Sequence, residues 1–234
     1  MENGNKRLAV LVGCNYPNTP HELNGCINNV LAMRDVLVKR YGFNHNHIEL
    51  LTNAPGSLVM PTGANIKKAL DQMLKKAEPG DVVFLQYSRH GTKIPSAKPG
   101  HPFRQDEAVV PCDFNLITEL FGADASHKFN IHPHELDSSE SLRTEEGILL
   151  SGCQANETSA DMNPMMTGGK AYRAFSNAVQ MVLKDHLGSL SNKEVMLLAR
   201  KSLEAGDFAQ HPCLYCSDEN AYAPFLWQPQ GSGL

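Results

Sequence analysis

The sequence predicts an α/β domain whose mostly parallel sheet is flanked by helices, and three observations carry that expectation. Short apolar runs end in turn or loop residues: LAVLV at residues 8–12 stops at Gly13, and VVFL at 82–85 follows Glu78-Pro79-Gly80. Between such runs lie stretches whose apolar residues recur at three- and four-residue spacing, the period of a helix with one buried face. The order strand, helix, strand, helix, strand is that of a parallel sheet joined by right-handed crossovers.

LAVLV is the first strand, with NYPN at 15–18 as the loop at its carboxyl end. Residues 25–41 form a helix: Ile27, Val30, Met33, Leu37 and Tyr41 share one face, and Gly42 supplies the stop. Residues 47–51 give a second strand. Ile66, Ala69, Leu70, Met73, Leu74 and Ala77 mark a second helix with Pro61 and Thr62 at its start. The stretch 81–92, DVVFLQYSRHGT, is then expected as a strand buried on both faces in the middle of the sheet. Its carboxyl end delivers Ser88, Arg89, His90 and Gly91, and ligands of open α/β sheets collect beyond that end of the strands.

Residues 106–113, DEAVVPCD, read as one short strand ending at Pro111. From 114 to 146 no helix or buried strand stands out, although a parallel sheet needs a crossover helix there. A loop of that length inside a compact domain argues for a missing piece. Order returns with a strand at 148–150 and a helix over 170–187. A further helix follows, whose Ser191 and Glu194 have capping-box spacing and which Gly206 closes. Residues 213–216 and 223–227 are short terminal strand or loop segments.

A chain of 234 residues, 41% hydrophobic and 20% charged, can bury a sizeable core. A net charge of -4 without a basic face argues against nucleic acid as a partner and gives no reason to expect a membrane surface. The polar start MENGNKR leads into too short an apolar run for a signal peptide or a spanning helix, so a cytoplasmic location is expected. The scattered cysteines read as free thiols rather than a disulfide framework.

At VLVGCNYP, LNGCINNV, YSRHGT, DEAVVPCDFNLIT and SGCQANETSAD, in that order, the chain resembles the plant type II metacaspases. The resemblance runs from about Lys6 to about Gln228. It implies a caspase-like three-layer sandwich, and a peptidase that cuts proteins after Arg or Lys with a Cys–His dyad. It implies that His90 is the dyad histidine, which takes the thiol proton and returns it to the leaving amine. The main-chain N–H of Gly91 would join the oxyanion hole. Cys26, Asn29 and Ser88 fall at substrate-binding positions, and no cofactor is implied.

Departures from the family pattern change the expectation. The family carries its nucleophile in a DSCHSGG segment on the strand after the hairpin, and this sequence has no such segment. FNLIT, ending at Thr118, is followed at once by ELFGADASHKF, which resembles the far end of the family's interdomain linker. The fold expected is therefore an incomplete caspase-like α/β domain with its central strand missing. Residues 6–118 are the large-subunit-like part, 119–146 a linker remnant and 147–228 the small-subunit-like part. A pocket acid two positions before the nucleophile is lost with the segment. Asn29 stands where the family has a second pocket carboxylate, and Arg89 stands in YSRHG where the family has Gly.

Cys26, Cys112 and Cys153 match family positions outside the dyad. Nothing in their spacing puts a thiol within reach of His90, so no nucleophile is assigned. Cys213 and Cys216 form a C-x-x-C to which His132 and His134 could add ligands, but a lone C-x-x-C in a last-strand region carries no metal site. Asp106 and Glu107 fall where metacaspases can bind calcium, yet neighbouring acids at a hairpin end read as solvated. No metal is expected. The function expected is that of a cysteine endopeptidase homologue without activity. The alternatives are a non-catalytic partner of intact metacaspases, or a spliced or truncated form of an active one. Protein substrates or intact metacaspases are the expected partners, with oligomers forming through exposed sheet edges.

Overall fold

The computed structural model describes residues 6–95, 105–114, 147–154, 157, 160–162 and 168–226. The linker remnant, His132 and His134 lie outside these residues. Strand β1 (Arg7–Gly13) is buried along its whole length. It is the centre of a three-stranded parallel sheet between β2 (Ile48–Thr52) and β3 (Val82–Ser88). Ala9 stands opposite both Ile48 and Phe84. A strand covered on both faces can be almost continuously apolar, which is what RLAVLVG provides.

Successive β1 side chains feed two cores, because a strand alternates its faces. Ala9 and Leu11 meet helix α1 (Cys26–Tyr41) together with α3 (Ala174–Asp185) and α4 (Asn192–Ala205), through Val30, Leu37, Leu183 and Val195. Leu8, Val10 and Val12 meet helix α2 (Gly63–Lys76) through Ile66, Ala69 and Met73. The layers are therefore helix, sheet, helix. Leu11, Leu37, Leu51 and Leu183 are fully buried, and each such side chain contributes about 1.5–3 kcal/mol of transfer free energy.

The helix ends follow local chemistry. At Gly25 an added Cβ would lie 2.5 Å from the Tyr172 main-chain carbon, so glycine lets α1 approach β8 (Tyr172–Arg173). Asn15 caps α1 from a distance, its Oδ1 accepting from the N–H groups of Cys26 (3.0 Å) and Ile27 (3.3 Å). Gly42 ends α1 in the left-handed conformation, φ 66°. Thr62 caps α2 through the Asn65 N–H, and Ser191 with Glu194 completes both halves of a capping box on α4. After α4 the left-handed residue is Asp207 (φ 58°), one beyond the expected Gly206. The helix expected over 170–187 is shorter, because β8 first pairs antiparallel with β7 (Asp161–Met162). A short helix α5 (Asp218–Tyr222), capped by Ser217, was not expected.

The placement of β3 corrects the sequence reading. Among the described residues it pairs only with β1, so β1 rather than β3 is central. Val83 and Leu85 are 42% and 49% exposed, whereas Val82 and Phe84 pack on the α1 side. The cause is coverage among the described residues: α2 packs mainly on β1 and β2, and of that face of β3 only Tyr87 joins its core. Beyond β3, β4 (Gly91–Pro95) and β5 (Gln105–Val109) form a hairpin. Strand β6 (Leu149–Ser151) pairs with β9 (Cys213–Tyr215) in a separate antiparallel ladder. Leu150 still reaches the core of α1, α3 and α4, while Leu149 is 58% exposed. The sheet is thus split, with β3 and β6 each lacking a second neighbour among the described residues. This is the incomplete α/β sandwich expected from the sequence.

Candidate active site

β1 and β3 run parallel, so their carboxyl ends open on the same side. The Cys14 N–H extends their ladder by donating to the Ser88 carbonyl at 3.1 Å. Ser88 is buried there, and its hydroxyl accepts from Gln86 Nε2 at 3.3 Å. His90 occupies the turn between β3 and β4, and the exposed Gly91 opens β4 opposite Val109.

His90 Nε2 lies 2.9 Å from the His21 carbonyl oxygen. A carbonyl only accepts, so Nε2 carries the proton and Nδ1 is the basic nitrogen. The ring packs against Tyr16, with centroids 5.2 Å apart, and edge-on to His21 at 6.2 Å. Phe114 packs edge-on to both Tyr16 and His21. Tyr16 holds a left-handed φ of 49°, a costly conformation for a bulky residue. Its burial and the 2.5 Å hydrogen bond it donates to the Val110 carbonyl offset that cost.

Beneath this aromatic cluster, Cys14, Tyr16, Leu23 and Cys26 form a small core with Val110, Cys112 and Phe114. Cys26 is fully buried, and burial pushes its thiol up to about 12. Cys14 and Cys112 share this core, and their thiols act on each other so that the pKa of Cys14 is lowered and that of Cys112 raised. The Cys153 thiol donates to the Glu157 carbonyl, and that of Cys213 to the His211 carbonyl. All six cysteines are free thiols. Among the described residues, no sulfur is hydrogen-bonded to His90; its ring nitrogen contact is to His21.

Arg89 is 7% exposed, and its guanidinium lies 3.1 Å over the ring of Tyr87. Its Nε, Nη1 and Nη2 atoms are all buried without a hydrogen-bond partner. The Tyr16 hydroxyl is near enough to favour the charged form of Arg89, although its own proton goes to the Val110 carbonyl. Burial outweighs that help and brings the Arg89 pKa down to about 9. The group is still a cation at neutral pH.

Asn29 is fully buried in α1. Its Oδ1 accepts from the Arg173 N–H at 3.4 Å, its carbonyl accepts from Gln180 Nε2 at 2.8 Å, and its Nδ2 has no partner. The structure therefore gathers Ser88, Arg89 and His90, and it brings Cys26 beneath them through Tyr16 and Cys14. Asn29 is turned toward the junction of β8 and α3. Sequence reasoning missed Asn15, Tyr16 and His21. NYPN reads as a loop, and no local pattern links His21 to a histidine 69 residues away.

Among the described residues, no group of three His, Cys, Asp or Glu side chains could hold a metal ion. No described helix is long and apolar enough to cross a membrane. A groove of about 260 Å³ lies between β1, β2 and α2, and one of about 710 Å³ lies along α1 and α3. Neither borders His90.

A family model described as the caspase domain matches residues 6–222. The chain is 42% identical to Metacaspase-9 of Arabidopsis thaliana, and the aligned region covers 96% of this chain and 98% of that protein. Metacaspase-6 and Metacaspase-4 of the same plant are 27% and 24% identical, with 94% of this chain and 99% of each relative covered. The alignment with Metacaspase-9 spans 319 positions, more than the 234 residues of this chain. That relative therefore has internal residues with no counterpart here.

Proposed function

Because the chain belongs to the caspase-domain family, as a homologue of the metacaspase cysteine peptidases, we propose that this polypeptide itself hydrolyses no peptide bond. The observation that carries this reading is the state of His90. Its Nε2 proton is given to the His21 carbonyl, and no described thiol is hydrogen-bonded to the ring. Nucleophilic catalysis by cysteine needs a thiol and a base within hydrogen-bond reach. Cys26 keeps its proton at neutral pH. Cys14, whose pKa lies below the ordinary thiol value, is fully buried and makes no hydrogen bond to His90. The missing DSCHSGG segment and the longer span of the Metacaspase-9 alignment support the same reading.

In this reading His90 is the dyad histidine of the fold and Gly91 its oxyanion donor, without a nucleophile to serve. Cys26, Asn29 and Ser88 are read as substrate-side residues, with Asn29 neutral where a carboxylate would attract a basic side chain. In subtilisin, loss of the nucleophile alone lowers kcat by about 10⁶. The test is turnover of fluorogenic peptides with Arg or Lys before the scissile bond, by the purified chain and by His90→Ala. Equal, background rates are expected. Activity that disappears in His90→Ala would overturn the proposal.

A second reading, a non-catalytic partner of intact relatives, is favoured by β3, which has no outer neighbour among the described residues and exposes Val83 and Leu85. Such an edge can accept a strand from another chain. Size-exclusion chromatography of the chain mixed with an intact metacaspase tests it. A shared peak supports the partnership, and two independent peaks oppose it.

A further inference from the structure

We propose that Arg89 anchors a binding site for a carboxylate, at the carboxyl end of β3 beside His90. The inference deepens the reading of this site as one that does not process basic residues, and it rests on that reading for the site's location. Arg89 is more than nine-tenths buried, and all three of its side-chain nitrogens lack a hydrogen-bond partner. A buried charged donor without a partner is destabilising. Stacking on Tyr87 offsets only part of that cost. It also satisfies none of the N–H groups.

Among the described residues, no side chain accepts a hydrogen bond from the guanidinium. The Tyr16 hydroxyl is directed to Val110, and burial keeps Tyr16 and Cys26 protonated. Asn29, on the same helix as Cys26, is neutral. A planar guanidinium matches a carboxylate through two parallel N–H···O bonds, which is the geometry that selects arginine for such ligands. A basic ligand would meet a cation of its own sign. The half-buried His90 and the exposed Gly91 follow Arg89 directly in the chain.

Such a carboxylate could come from an acidic side chain or from a peptide C-terminus, and probes of each kind separate the two. Calorimetric titration and thermal melting of the full chain, at matched ionic strength, would use acetyl-aspartyl amide, acetyl-alanine with a free carboxylate, and acetyl-arginyl amide. At least one carboxylate probe should bind and raise the Tm, whereas the arginyl amide should do neither. The probe that binds more tightly identifies the source. Arg89→Gln should weaken that binding at least about tenfold, with Arg89→Lys intermediate, because lysine keeps the charge without the fork. Absence of binding by both carboxylates, preference for the arginyl amide, or unchanged affinity in Arg89→Gln would overturn the proposal. If Arg89→Gln fails to fold, the wild-type preference among the three probes and the Arg89→Lys result decide. Peptidase turnover bears on the missing nucleophile alone, so the two ideas fail separately.

Discussion

The Nε2 atom of His90 donates to the main-chain oxygen of His21 at 2.9 Å, joining the end of β3 to the loop that precedes α1. This contact fixes both the tautomer and the orientation of the ring, and Tyr16 holds it from below. A histidine so held is positioned, and no described thiol is hydrogen-bonded to it.

The open edge of β3 should make the chain associate. Val83 and Leu85 present apolar surface on a strand without an outer neighbour among the described residues, and such edges pair with other chains. Size-exclusion chromatography should give dimers or larger species that grow with concentration. Leu85→Lys places a charge on the bare face and should shift the distribution toward monomer. A monodisperse wild-type monomer with one sharp melting transition would mean that the sheet closes without another strand.

Arg89→Met should stabilise the fold. The substitution keeps an unbranched side chain over Tyr87 and removes a buried cation with no hydrogen-bond partner. The desolvation relieved exceeds the cation–π attraction lost by about 1 kcal/mol, which raises Tm by about 2–4 °C in a chain of this size. The pH dependence has a definite sign. The folded pKa of about 9 lies below the ordinary 12.5, so between these values the unfolded chain binds more protons than the folded one. The Arg89 penalty is full below about 9 and shrinks as pH rises above it. The advantage of Arg89→Met should narrow in that window.

The framework was legible in the sequence wherever a local pattern decides. The apolar run of β1, the stripe of α2 with Thr62 ahead of it, and the Ser191–Glu194 box each carry their own signal within a turn or two of chain. Gly42 marks the end of α1 for the same reason. The position of β3 was not legible, because VVFL reads alike in a central strand and in an edge strand with one bare face. Its place depends on which strand comes to lie beside it, a long-range fact. The two-residue strands β7 and β8 are too short to show a period. Ser217 followed by Asp218 and Glu219 is a local start signal for α5, but five residues are too few to show a helical period. At the site, YSRHG pointed to His90, but its hold on His21 and the left-handed Tyr16 depend on tertiary packing.

The α4 capping box should leave a mark on acid unfolding. Glu194 accepts from the Ser191 N–H at 2.7 Å and from its hydroxyl at 2.8 Å, and these bonds hold its carboxyl below the ordinary 4.5. A folded pKa below the unfolded one gives stabilisation that is present above 4.5 and lost as pH falls through the folded value. Glu194→Gln should therefore flatten the acid limb of the melting-temperature profile. An identical acid limb in the variant would remove Glu194 from the account.

Cysteine reactivity is the most direct test of a site without a thiol–imidazole pair. Iodoacetamide alkylation rates would be measured for each of the six free cysteines, resolved by mass spectrometry, in wild type and in His90→Ala. Because no thiol draws its reactivity from His90, each rate should agree between the two proteins within about twofold. One cysteine whose alkylation slows about tenfold or more in His90→Ala, while the others keep their rates, would reveal a working dyad and contradict the account.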